Sequence, residues 1–201
     1  MRLLLSVYAP PALLLAAVAA KCARDGISPS YFMSEPQTLG GLDWHAGLCA
    51  TLTGLLWCAA ASAALLGWGV LRARGGQSGR GGFLLHFGLL TLALMFDDMF
   101  QLHEYAYKYY LGLPETAVYA AYGAASVYGL YAYRAVLRAT DLSLLASAIV
   151  FLGLSIVVDT LQDAAARGMG PWRILIEDGF KMLGAGGWFA YLWRASLRFV
   201  S

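Results

Sequence analysis

The chain has 201 residues with a formal net charge of +2; 60% of them are hydrophobic and only 13% are charged. A mean hydropathy of +0.62 lies far from the balance of a soluble domain and marks an integral membrane protein. The cationic residues are scattered singly, with no concentrated basic patch, so nucleic acid is not an expected partner.

A helix needs about 20 apolar residues to cross roughly 30 Å of hydrocarbon. On that criterion the sequence predicts an all-α polytopic membrane protein: one domain, residues 1–201, folded as a compact bundle of six spans. The spans fall at about 3–20, 47–71, 83–107, 116–137, 143–164 and 173–194. The first begins after Arg2 and carries Pro10 and Pro11, which should kink it. Its basic start and the small residues before Lys21 also fit a cleavable signal peptide, so both readings stand. Arg72, Arg74 and Arg80 follow the second span, Arg134 and Arg138 end the fourth, and Arg194 and Arg198 end the sixth. By the positive-inside rule both termini and these loops are cytoplasmic.

The outer side then holds residues of about 21–46, where Cys22 and Cys49 lie near enough to the same face to permit a disulfide. His45 and Cys49 offer at most half of a zinc site, and interfacial packing is the plainer reading. The third span and the fourth are rich in tyrosine; most of these residues belong to an interfacial aromatic belt.

Seven of the twelve acidic residues sit inside predicted spans: Asp97, Asp98, Glu104, Asp159, Asp163, Glu177 and Asp178. Each costs about 2.5–3.5 kcal/mol at a helix centre on insertion scales, so such a set implies function. At ~1.5 Å per residue, Asp97 and Asp98 lie roughly 21–24 Å up the third span and Asp159 ~24 Å up the fifth, while Glu177 and Asp178 lie about 6–8 Å below the outer edge in the sixth. Three helices therefore place acids at one level, in the outer third of the bilayer. At about 100° per residue, Asp97, Gln101, Glu104 and Lys108 form one stripe, Ser155, Asp159, Gln162 and Asp163 a second, and Glu177, Lys181 and Gly184 a third. Lipid cannot satisfy such stripes, so they are expected to face one another around a pocket open to the extracytoplasmic side.

So many carboxylates cannot all stay ionised together in a low-dielectric pocket. A divalent ion is one answer, with Mg, Mn, Ca, Fe and Zn not distinguished, and Asp98, His103, Glu104, Asp159, Asp163 and Asp178 are its candidate ligands. Shared protons and pairing with Lys181 are the alternatives. A zinc-protease motif fails because Tyr107 stands where the second histidine belongs, and no Glu-x-x-His of the ferritin-like type is present. On an ideal helix His103 points about 130° from the carboxylate stripe.

Glu177 four residues before Lys181 is a stabilising pair order. It also resembles the retinal site of microbial rhodopsins, but over two residues only and with six spans where that family has seven. Lys181 therefore reads as charge-compensating, with nucleophilic use as the alternative.

Asp97, Asp98, Glu177 and Lys181 are the candidate catalytic residues, and Gln101, Gln162, Tyr119 and Tyr122 the candidate substrate contacts. The leading expectation is a metal-dependent hydrolase or transferase in the cell membrane, acting on a membrane lipid or other apolar small molecule. It is comparable in kind to the seven-helix hydrolases that include alkaline ceramidases, whose histidine-rich zinc pattern this chain lacks. A cation or proton transporter is a second expectation, weakened by the apolar inner halves of the third and fifth spans. A non-catalytic accessory, sensor or cofactor-binding protein is the third.

Overall fold

The computed structural model describes residues 2–75, 79–160 and 172–201, which are helix and connecting turn, with no strand among them. The chain divides into two compact units, Met1–Ala46 and Gly47–Ser201. In the first, α1 (Arg2–Asp25) continues through Pro10 and Pro11 and past the predicted end at residue 20. Its last turn carries Lys21 and Arg24, paired with Asp25 at 2.7 and 2.6 Å. Two short helices follow, α2 (Ser30–Met33) and α3 (Pro36–Gly40), the latter opening on a proline whose fixed φ suits a first helical turn. Trp44 beyond them is 83% exposed.

The second unit contains α4 (Leu48–Ala73), α5 (Gly79–Phe100), a π-helical turn (Leu102–Ala106), α6 (Tyr107–Leu111), α7 (Glu115–Ala132), α8 (Arg134–Leu137), α9 (Leu142–Thr160) and α10 (Trp172–Val200). Helix α10 packs against both α9 and α4, α4 against α5, and α5 against α7, so the long helices run in an arc whose ends are α9 and α7. Among the described residues, three helices are long and apolar enough to cross a membrane: α4, α5 and residues Leu142–Asp159 of α9. In α7, four tyrosines and many small residues replace aliphatic ones; α10 carries six charged side chains.

Two predicted spans are corrected. The third, expected unbroken over 83–107, ends as an α-helix at Phe100 because Gln101 is left-handed, with φ 48° and ψ 45°. The fourth, expected over 116–137, is interrupted at Tyr133, which separates α7 from α8. Cys22, Cys49 and Cys58 are free thiols.

Phe83, Phe87, Ala60, Ala64, Ala148, Ala185, Tyr191 and Leu192 form the centre of the core, each almost fully buried. Small residues let the helices approach, as is usual where lipid supplies no hydrophobic drive between helices. A Cβ on Gly184 of α10 would lie 2.7 Å from the Leu152 side chain and 3.0 Å from its backbone nitrogen. On Gly129 of α7 it would lie 2.5 Å from the His86 ring, whose Nε2 is 3.0 Å from the Ala125 carbonyl. In the core Trp188 donates to Thr91 Oγ1 at 2.9 Å, and Thr91 in turn donates to the Phe87 carbonyl at 2.6 Å.

The unit is polarised by charge. Its basic end gathers Arg194, bound to Asp141 at 2.5 Å, Arg198, bound to the Ala139 carbonyl at 2.6 Å, Arg74, bound to the Val200 carbonyl, and Arg80 over the Phe199 ring. Most of the acids lie at the opposite ends of the same helices.

Gly184→Ala should lower stability by about 1–3 kcal/mol through overpacking against α9. Gly186→Ala, where a Cβ meets nothing within 4 Å, should be neutral or slightly stabilising. Thermal unfolding of both variants in detergent checks the difference.

Candidate functional site

The site begins with the break at Gln101. Asp97, in the last turn of α5, is only 4% exposed. A regular helix would carry His103 round to another face, but the left-handed residue and the π turn bring its ring back. His103 Nδ1 then lies 2.6 Å from Asp97 Oδ2. π turns and strained non-glycine residues concentrate at functional sites, and here the strained residue has a visible geometric result. The second carboxylate oxygen, Asp97 Oδ1, is buried with no hydrogen-bond partner among the described residues.

The other ring nitrogen, His103 Nε2, faces Glu104 at 3.7 Å and Glu115 at 3.8 Å. The Tyr119 ring lies 5.3 Å from the His103 ring, and its hydroxyl reaches Glu115 Oε1 at 2.9 Å and Asp159 Oδ2 at 3.1 Å. A phenol has one proton, so it donates to one of these carboxylates at a time. Lys181 stands 3.4 Å from Asp98 and 3.2 Å from Asp178, and Arg173 donates to Glu177 at 2.6 Å. Much of the acidic charge is therefore compensated within the chain, by cations and hydrogen-bond donors one turn away or on a neighbouring helix.

These groups crown a cavity of about 410 Å³, within the usual range of small-molecule pockets, about 300–1,000 Å³. Its depth is apolar, walled by Trp57, Phe87, Leu90, Leu130, Leu152 and Trp188. A second, polar hollow of about 610 Å³ includes Lys108, Glu115, Thr116 and Arg173. Four residues line both: His103, Glu104, Asp159 and Glu177. They form the boundary between an oily compartment and a wet one.

Of the residues expected at a site, the cavity brings together Asp97, Asp98, His103, Glu104, Tyr119, Tyr122, Asp159, Glu177 and Lys181. Asp178 touches it only through Lys181. Gln101 is exposed and away from the cavity; its part is conformational. Gln162 and Asp163 lie outside the described residues. The expectation that His103 points away from the carboxylates is overturned by the helix break. Sequence reasoning passed over Glu115 and Arg173, although their spacing of four from Tyr119 and Glu177 was a usable signal. Among the described residues no three His, Cys, Asp or Glu side chains gather closely enough to hold a metal ion.

Residues 9–195 match a family described as a domain of unknown function (DUF8692). The chain belongs to this family. No curated protein and no solved structure matches it.

Gln101→Gly should leave stability unchanged or raise it by about 1 kcal/mol, because glycine enters the left-handed region without steric cost. Gln101→Val should lower it, since a β-branched residue tolerates positive φ poorly. Chemical-shift or cross-linking readout of the His103–Asp97 contact should be kept in the first variant and lost in the second.

Proposed function

We propose that this is a six-span membrane protein with cytoplasmic termini whose cavity opens to the outer leaflet, and that it hydrolyses or transfers a group from an amphiphilic lipid bound there. The basic end of the second unit supports the orientation, since Arg-rich ends stay cytoplasmic. One observation carries the chemical reading: the buried Asp97 orients His103 at the junction of an apolar cavity and a polar hollow. Such a division suits a molecule with a tail and a head, and puts the bond between them beside the ring.

The chemistry follows from the pair. Asp97 accepts the Nδ1–H, which fixes the tautomer and leaves Nε2 to take a proton from water or a substrate hydroxyl and return it to the leaving group. Lys181, lining the same cavity and held by Asp98 and Asp178, keeps a third N–H that can turn toward negative charge developing on the reacting centre. Glu177 and Asp98 hold the site's charge balance through Arg173 and Lys181.

A divalent ion is a second reading, favoured by the buried and unpartnered Asp97 Oδ1. In that version Asp97 would hold the ion, which would supply Lewis-acid activation of a water or a substrate oxygen.

His103→Gln and Asp97→Asn should each lower lipid turnover by about 10²–10⁴-fold while lipid binding persists. Mass-spectrometric product analysis in proteoliposomes of mixed lipids measures this. Undiminished turnover in both variants would sink the acid–base role; binding without turnover in the wild type would make the protein a lipid binder. Elemental analysis after gentle purification tests the ion: stoichiometric metal lost in Asp97→Asn supports it, and a metal-free active protein overturns it.

A further inference from the structure

We infer that the ligand of this cavity is a long-chain amphiphile bearing a protonated amine, admitted sideways between α7 and α9, an inference that rests on reading the cavity as an amphiphile site. Three independent features lead there: length, route and charge.

The lining of α9 runs from Asp159 down to Ile149, and that of α7 from Tyr119 down to Leu130. At ~1.5 Å per residue each wall is about 15 Å long, half of the roughly 30 Å hydrocarbon layer. The cavity thus spans one leaflet, the length of one lipid tail.

Helices α7 and α9 are the two ends of the arc. At the outer edge the hydrogen bond from Tyr119 to Asp159 joins them. Below it, Gly123 and Gly153 line the cavity, and a Cβ on either would meet nothing within 4 Å. Val127, Ile149 and Ile156 line the same stretch and yet are 65%, 43% and 47% exposed. Cavity-lining side chains with that much exposed surface mark an opening in the wall, a seam lined, apart from Ser126, which donates to the Tyr122 carbonyl, and the buried Ser155, by apolar groups that a lipid tail can cross.

The charge around the two compartments selects the head. Among the described residues, and leaving Asp159 aside, Asp97, Asp98, Glu104, Glu115 and Glu177 supply five carboxylates against the cations Lys108, Arg173 and Lys181, with His103 bound to Asp97. Arg173 and Lys181 are already engaged with Glu177 and Asp98. An anionic head would enter a field of its own sign, whereas an ammonium brings three N–H donors to acceptors in excess. Asp97, which lines the cavity, also presents the buried Oδ1 that has no hydrogen-bond partner among the described residues.

The test uses full-length protein in vesicles of zwitterionic lipid at pH 7, with three photoactivatable probes of equal chain length: a primary alkylamine, the matching alcohol and the matching carboxylic acid. The amine should cross-link to peptides covering residues 119–130 and 149–159, at least tenfold above the acid and severalfold above the alcohol, and unlabelled amine should compete. Gly123→Phe with Gly153→Phe should cut that labelling at least tenfold with an unchanged melting temperature. Equal labelling by all three probes within the cavity would overturn the ammonium preference and leave the amphiphile site standing. Labelling by none of them there would remove the amphiphile site itself, and full labelling of the glycine double variant would overturn the seam. Should that variant fail to fold, the comparison of the three probes on wild type still decides the headgroup.

Discussion

The hydrogen bond of 2.6 Å between His103 Nδ1 and Asp97 Oδ2 joins two groups that a regular helix would keep on different faces. It exists because the chain leaves the α-helix at Gln101 and re-enters through a π turn. Buried Asp97 would otherwise be a desolvated carboxylate facing apolar walls, a costly arrangement without a partner. The same turn places Glu104 at the boundary of the two compartments and ends α5 below the polar hollow. Strain at one exposed glutamine is thus spent on the position of a ring six residues from its acid.

Around that pair the polar groups act as a layer. Tyr119 spans from α7 to α9, Lys181 spans from α10 to α5, and Arg173 holds Glu177 within α10. Each contact crosses or braces the rim of the apolar cavity, so the layer lies over its acidic end while packing closes the floor beneath it. Trp188, Phe87 and Trp57 supply that floor. The separation of an oily depth from a charged rim is a direct result of helices that are apolar along their inner lengths and acidic at one end.

Much of this was legible in the sequence. The rise per residue put Asp97, Asp98, Asp159 and Glu177 at one level, and all four line the cavity. Hydropathy found α4, α5 and α9 because their aliphatic runs are uninterrupted. Phase failed beyond Phe100, since helical phase holds only while the backbone stays helical, and nothing in Gln101 itself announces a left-handed residue as a glycine would. Helical phase likewise places Gln101 among the substrate contacts, whereas its side chain is exposed and its left-handed backbone is what shapes the site. Pairing with Lys181 was legible as a means of neutralisation, but its partner was not: spacing points to Glu177, whereas Lys181 reaches Asp178 on its own helix and Asp98 on α5, and Glu177 takes Arg173.

The contact between His86 and α7 has a mechanical meaning. Toward its C-terminus α7 is pressed onto α5 where Gly129 meets the His86 ring and Ala125 accepts its hydrogen bond, while nearer its N-terminus Tyr119, Tyr122 and Gly123 line the cavity. At its other end Tyr119 reaches Asp159 of α9 and stands against the His103 ring, so α7 is held at both ends and the stretch between them, with Gly123, forms a thin wall over the cavity.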